Sequence, residues 1–153
     1  MSETVEALTT TPAPSEAPRE LGLHSVTLRP AEENDISFVF NSWLRSYQSS
    51  DFAKGIPPKL YFPHHHQIIE RILQRGGKLT IACLQDEPSA ILGWLCIEGK
   101  VLHYVYVKKP YRQLGIATKL IDGNRFVVYT HQTYATGFLK KPLGPAAYDP
   151  YMI

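Results

Sequence analysis

The stretch VLHYVYVKKPYRQLGIATKL, residues 101–120, joins a strand, a basic turn and a helix with no spare residue between them. Val101 to Val107 is rich in β-branched and aromatic residues. Val101, His103, Val105 and Val107 form one alternating set, Leu102, Tyr104 and Tyr106 the other, and His103 is the one residue of either that is not apolar or aromatic. That pattern predicts a central strand covered on both faces. Pro110 ends it, and Arg112-Gln113-Leu114-Gly115-Ile116-Ala117 follows. Gly115 and Ala117 let backbone N–H groups approach a ligand closely, while Ile116 and Leu120 continue at helical spacing. A helix starting there directs its unpaired N–H groups and positive dipole end at the turn, with Lys108, Lys109 and Arg112 nearby, so phosphate is the expected guest.

Composition narrows the class around this device. At 153 residues the chain holds one well-packed domain and is short for two. We expect a disordered tail over residues 1–22, which has prolines, serines and threonines but no periodic apolar face, and a single domain over 23–153. An apolar share of 44% beside 20% charged residues belongs to a globular protein, and no run of 18 apolar residues suggests a membrane span. A net charge of +2 is too small for a nonspecific nucleic-acid binder, which needs a concentrated basic face. Cys83 and Cys96 lie in strand-like apolar runs, and the start MSETVEAL has acids where a signal peptide has basic residues, so a reduced, cytoplasmic location is expected.

Before the opening stretch, His24 to Arg29 alternates as a first strand. Ile36, Val39, Phe40, Trp43, Leu44 and Tyr47 then fall on one side of an amphipathic helix with an acidic first turn. Ser49 to Pro63, with Gly55, Pro57, Pro58 and Pro63, reads as a loop over a site. His64-His65-His66 opens the next helix, which Gly76-Gly77 stops. Adjacent helix residues point about 100° apart, so the three imidazoles cannot meet one ion; no metal is expected, and the histidines read as a solvated helix start with one of them free to face a cleft. Lys78 to Leu84 and Ala90 to Glu98 form a hairpin, and Gly99-Lys100 turns into the central strand. After Leu120, Arg125 to Tyr129 supplies a strand parallel to its predecessor. Gln132 to Lys141 reads as a short helix and Ala146 to Ile153 as an edge strand interrupted by Pro150.

This order of elements, with Arg112-Gln-Leu-Gly115-Ile-Ala117 after Val105-Tyr-Val107, resembles the GCN5-related N-acetyltransferase (GNAT) superfamily, whose phosphate turn reads Gln/Arg-x-x-Gly-x-Gly/Ala. The resemblance covers about Val26 to Tyr148. It implies an α/β fold with a mixed, mostly antiparallel sheet flanked by helices and a splayed parallel strand pair at the coenzyme A (CoA) site. It also implies transfer of an acetyl group from acetyl-CoA to a primary amine of a small molecule or protein by direct attack, with no metal and no cysteine nucleophile. By position, Val105, Tyr106 and Val107 would bind the pantetheine arm. Arg112, Gln113, Leu114, Gly115, Ile116, Ala117 and Thr118 would hold the pyrophosphate.

The chemistry asks for a deprotonated amine, an oxyanion donor and a proton for the departing thiolate. The Val105 backbone N–H is a candidate oxyanion donor. His103 and Glu98 are candidate bases, with ordered water as the family's other route, and a satisfied structural histidine is the plain reading of His103. Tyr104 is placed to shape the acceptor channel. The family's last helix carries a pattern like Asn-x-x-Ala-x-x-Phe-Tyr whose tyrosine protonates the sulfur. Here Gln132-x-x-Ala135-x-x-Phe138-Leu139 puts leucine at that position, and Tyr134 is the substitute candidate beside a reading as a packing aromatic. The alternative function is a noncatalytic protein of this fold that binds CoA, a protein partner or both; small versions with abbreviated ends also resemble proteins encoded by bacterial viruses. A general phosphate binder explains the turn but not the strands before it.

Overall fold

The computed structural model describes residues 25–133, 136–137, 139 and 144–153; the expected tail over 1–22 and Tyr134 lie outside them. Strand β1 (Val26–Pro30) leads through a 3-10 turn at Glu33–Asp35 into helix α1 (Ile36–Gln48). Val39, Trp43, Leu44 and Tyr47 are buried along one side of α1, as their spacing requires. Asp35 ties the junction together. Its carboxylate pairs with Arg29 at 2.7 Å and accepts from the Glu32 N–H at 2.7 Å; the arginine hydrogen bond, outweighing burial, holds the acid below its ordinary range.

Helix α2 runs from Pro58 to Gln74, so the loop expected over Ser49 to Pro63 is confined to residues 49–57. Pro58 occupies the first turn, where a missing N–H leaves no bond unmade, and φ is already set for a helix. Pro63 lies one turn further in and deprives only the exposed Lys59 carbonyl, which water can satisfy. The three histidines therefore sit inside the helix and not at its start. His64 and His66 are exposed and His65 is buried.

The sheet comprises β1, β2 (Lys78–Leu84), β3 (Ile91–Glu98), β4 (Val101–Val107), β5 (Val128–Tyr129) and β6 (Ala147–Tyr148), in that spatial order. The first three pairings are antiparallel and the last two parallel. Helix α3 (Ile116–Ile121) carries the chain from β4 to β5. On one face α1 and α2 bury Trp43, Ile69, Ile72, Ile81, Trp94 and Tyr104; on the other α3 covers Leu92, Leu95, Val105, Ile116, Leu120 and Ile121. Each fully buried aliphatic side chain contributes about 2 kcal/mol.

Two features of β4 position the site. The pairing passes from Cys96↔Tyr104 to Ile97↔Leu102, leaving His103 as a bulge residue without a counterpart. Strict alternation would put Leu102 with Tyr104 and Tyr106, but the bulge resets it, and Leu102 shares the α3 face with Val105. The expected strand at Arg125 to Tyr129 is also cut to Val128–Tyr129, because β5 meets β4 only at Val101 and Leu102. The Thr130 N–H makes one more bond, to the Leu102 carbonyl at 3.0 Å. Tyr104 to Val107 then run on with no strand beside them on that edge, among the described residues. On the other edge Gly93 lets β3 lie close, since a Cβ there would sit 2.4 Å from the Tyr106 carbonyl oxygen. The expected edge strand at Ala146 to Ile153 is β6 followed by a 3-10 turn at Pro150–Met152. Of the helix expected at Gln132 to Lys141, half lies outside the described residues; Gln132 and Thr133 are not helical, and residues 136–137 are.

Candidate functional site

A cleft of about 550 Å³ opens where β4 and β5 part. Its walls are the free edge of β4, the turn into α3, the end of α1, and Thr133 with Leu139. Nine residues of the sequence-derived CoA set line it: Val105, Tyr106, Val107, Arg112, Gln113, Gly115, Ile116, Ala117 and Thr118. The tenth, Leu114, packs on the hydrophobic cluster under α3 instead. A second hollow of about 570 Å³, between β1, β2 and the start of α1, is lined by Arg29, whose guanidinium is already paired with Asp35, and by mainly apolar neighbours. Free backbone donors and hydroxyls converge in the first cleft.

Backbone direction follows from the ladder. The Lys108 N–H bonds to the Leu92 carbonyl at 2.8 Å, so by antiparallel alternation Tyr106 faces β3 with its backbone groups, while Val105 and Val107 face away from it. The Val107 carbonyl accordingly accepts from Arg112 Nε at 2.9 Å. In the turn both Gln113 (φ 65°) and Gly115 (φ 85°) are left-handed. Glycine adopts this freely, whereas glutamine does so at a cost of about 1–3 kcal/mol, typical of strained functional backbone. Among the described residues the N–H groups of Gln113, Leu114 and Gly115 have no backbone acceptor. They are available to an anion.

The basic cluster is thinner than the sequence implies. Lys108 extends over the Phe38 ring, 5.0 Å from its centre, and burial lowers its pKa. Neither it nor Lys109 lines the cleft, which leaves Arg112 as its cation among the described residues. Ser46, Ser49, Ser50 and Thr133 add hydroxyl-bearing residues to the lining. Sequence reasoning missed these. Ser49 and Ser50 open the expected loop, but no signal marks Ser46 or Thr133. The Tyr104 hydroxyl is 2.7 Å from Ser46 Oγ, and its ring packs in a three-way cluster with Trp43 and Trp94, whose centroids are 5.1 and 5.5 Å from it and 5.3 Å from each other. Burial raises the Tyr104 pKa, the Ser46 hydrogen bond opposing.

His103 and Glu98 do not line the cleft. They belong to a chain of polar groups at the other end of β4. Glu98 Oε1 lies 2.8 Å from His103 Nε2, and His103 Nδ1 lies 3.0 Å from Thr130 Oγ1. Thr130 Oγ1 lies 2.8 Å from His131 Nδ1, and His131 Nε2 lies 3.0 Å from His65 Nε2. Burial opposes ionisation of Glu98, but hydrogen bonds from His103 and Arg75 outweigh it and hold the acid below its ordinary range. An ionised Glu98 is satisfied by one consistent proton assignment along the chain. His103 Nε2–H donates to Glu98; neutral His103 then accepts from the Thr130 hydroxyl, which accepts from His131 Nδ1–H, and His131 Nε2 accepts from His65 Nε2–H. All three histidines are held neutral by burial: His65 is lowered to about 4, His131 well below its ordinary value, and His103 downward against the pull of Glu98. Cys96 is buried and free, its thiol pushed up to about 12 by burial, and Cys83 is likewise buried and free. Such thiols are inert. No group of three or more metal-ligating side chains occurs, and no helix is long and apolar enough to cross a membrane, among the described residues.

No protein-family model matches the chain, and neither does any curated protein. Solved structures do match. A proposed acetyl transferase from Pyrococcus furiosus aligns with a TM-score of 0.56 at 22% identity, over 76% of this chain and 90% of that one. Apo YjaB from Escherichia coli aligns with a TM-score of 0.48 at 13% identity, over 63% of this chain and 62% of that one. A GNAT superfamily phosphinothricin acetyltransferase from Sinorhizobium meliloti, in complex with acetyl-CoA, aligns at 0.44 and 16%, over 63% of this chain and 56% of that one. The chain thus spans under two thirds of the length of the last two. What the likeness establishes is the fold: a mixed six-stranded sheet with parallel pairs and flanking helices, the fold of the GCN5-related N-acetyltransferases.

Proposed function

We propose that this chain is an acetyltransferase, a single domain over residues 23–153 acting in the cytoplasm, that moves an acetyl group from acetyl-CoA to a primary amine by direct attack. The observation that carries the reading is the cleft itself, which unites the free backbone edge of Val105–Val107 with the left-handed turn from Gln113 to Gly115. The edge would pair with the amide-containing pantetheine arm as a strand pairs with a neighbour. The turn amides and Arg112 would hold the pyrophosphate. Acetyl-CoA supplies an activated thioester, and the protein supplies orientation and hydrogen-bond donors aimed at the carbonyl oxygen, the Val105 N–H first among them. Both cysteines are buried and neither lines the cleft, which agrees with direct attack.

The acceptor enters from the hydroxyl-lined side, between the end of α1 and Thr133. The experiment is release of free thiol from acetyl-CoA in the presence of a panel of primary amines, small molecules and peptides alike. Amine-dependent thiol release is expected. A second reading, a noncatalytic protein that binds CoA or a protein partner, is favoured by one observation: Leu139, a hydrocarbon, stands on the cleft wall. Acetyl-CoA binding without thiol release for any amine would select it.

A further inference from the structure

The cleft has leucine at residue 139, yet Tyr104, Tyr106 and Tyr111 line it, and of these Tyr104 is the one whose hydroxyl pairs with a second hydroxyl of the lining among the described residues. Tyr104 adjoins Val105 at the point where β4 loses its partner, and its hydroxyl pairs at 2.7 Å with Ser46 Oγ on the same wall. Either oxygen can donate in that pair. The phenol is fixed from several directions: Trp43 and Trp94 stack on its ring, Tyr47 meets it edge-on at 6.0 Å, and His131 edge-on at 5.5 Å. Ser46 is held at the end of α1, its hydroxyl also within 3.3 Å of the Trp43 carbonyl. Ser49, Ser50 and Thr133 line the cleft as well, but no hydrogen bond joins any of them to a second hydroxyl of the wall among the described residues.

We propose that Ser46 and Tyr104 form a two-hydroxyl proton shuttle that serves acetyl transfer, with Tyr104 as the donor to the departing sulfur; this rests on the acetyltransferase reading above. Ser46 accepts the proton that the amine gives up as its nitrogen bonds to the acetyl carbon. Ser46 passes its own proton to Tyr104, and Tyr104 gives its proton to sulfur as the carbon–sulfur bond breaks and its electron pair moves to sulfur. One proton leaves nitrogen and one reaches sulfur, and both hydroxyls end as they began. No carboxylate or imidazole base is required, which agrees with the position of Glu98 and His103 outside the cleft. Burial that raises the phenol's pKa keeps it protonated at neutral pH and so competent to donate.

The test compares CoA with desulfo-CoA, which lacks the sulfur, by calorimetry, and then turnover. Wild-type protein should prefer CoA over desulfo-CoA by about fivefold, the worth of one hydrogen bond. Tyr104→Phe, which keeps the stacked ring, should erase that preference while binding desulfo-CoA as before. Its turnover should fall by about a hundredfold, the ordinary contribution of a positioned acid. Ser46→Ala should lower turnover and retain the preference for CoA. An unchanged preference for CoA in Tyr104→Phe, or unchanged turnover in either variant, overturns the shuttle. Absence of any CoA binding to the wild type overturns the acetyltransferase reading, and the shuttle with it.

Discussion

The two ends of β4 are built from one run of seven residues and have opposite fates. At the Val101 end the strand is paired on both edges, and a chain of five side chains from Glu98 to His65 satisfies the polar groups there. At the Val107 end the strand has one neighbour, and its other edge faces the cleft together with turn amides that have no backbone partner. Buried polar groups are costly unless paired, so a protein leaves them unpaired only where solvent or a ligand completes them. The contrast separates a closed end, where polar groups are paired, from an open end that we propose takes a guest. His103 and Glu98 lie at the closed end, and we propose that they belong to the scaffold and not to the reacting groups.

The comparison breaks most readily at the turn. Gly115→Glu forces a side chain onto a left-handed residue and adds negative charge beside the proposed pyrophosphate site. Calorimetry should show acetyl-CoA affinity falling at least about a hundredfold, or roughly 2.7 kcal/mol. Unchanged affinity would mean that the open end is not the coenzyme site.

At the closed end the expected loss is of stability and not of binding. His103→Ala removes a fully buried ring and takes one hydrogen-bond partner each from Thr130 and Glu98. Denaturant unfolding should register a cost of about 3 kcal/mol. Acetyl-CoA affinity of the folded variant should stay within about twofold, a difference under 0.5 kcal/mol. A selective loss of turnover with full stability would return His103 to the reacting groups.

Acid should act on the closed end too. His65, lowered to about 4, stays neutral in the folded chain at pH values where the unfolded chain, with histidines near 6.5, takes up protons. Stability is therefore full above pH 6.5 and falls as pH drops from 6.5 towards 4, by up to about 1.4 kcal/mol per pH unit for each such histidine. Melting temperatures across that window measure it, and His65→Asn should flatten the slope. The smallest effect belongs to Arg112. It is exposed, and its Nε is engaged by the Val107 carbonyl, so Arg112→Gln should weaken acetyl-CoA binding by no more than about fivefold, less still at high salt.

The open end was legible in the sequence because its parts are contiguous. Val105 to Val107 and Arg112 to Thr118 follow one another, and a glycine three residues after an arginine, behind a covered strand, announces a turn that exposes amides. The closed end was not legible. Glu98, Thr130, His131 and His65 are contributed by separate segments, and the bulge that singles out His103 has no sequence signature. His65 was hidden by the assumption that prolines exclude a helix, whereas Pro58 starts one and Pro63 is tolerated near its beginning. The pairing of Ser46 with Tyr104 spans 58 residues, and only the packed sheet reveals it.

The central claim is that the open end of β4 takes acetyl-CoA and the closed end does not. Titrating ¹⁵N-labelled protein with acetyl-CoA and following backbone amides tests it most directly. Saturable shifts at Val105 to Val107 and Arg112 to Thr118 are predicted, with Glu98, His103, Thr130 and His131 unmoved. Shifts centred on those four, or none anywhere at millimolar acetyl-CoA, would contradict it.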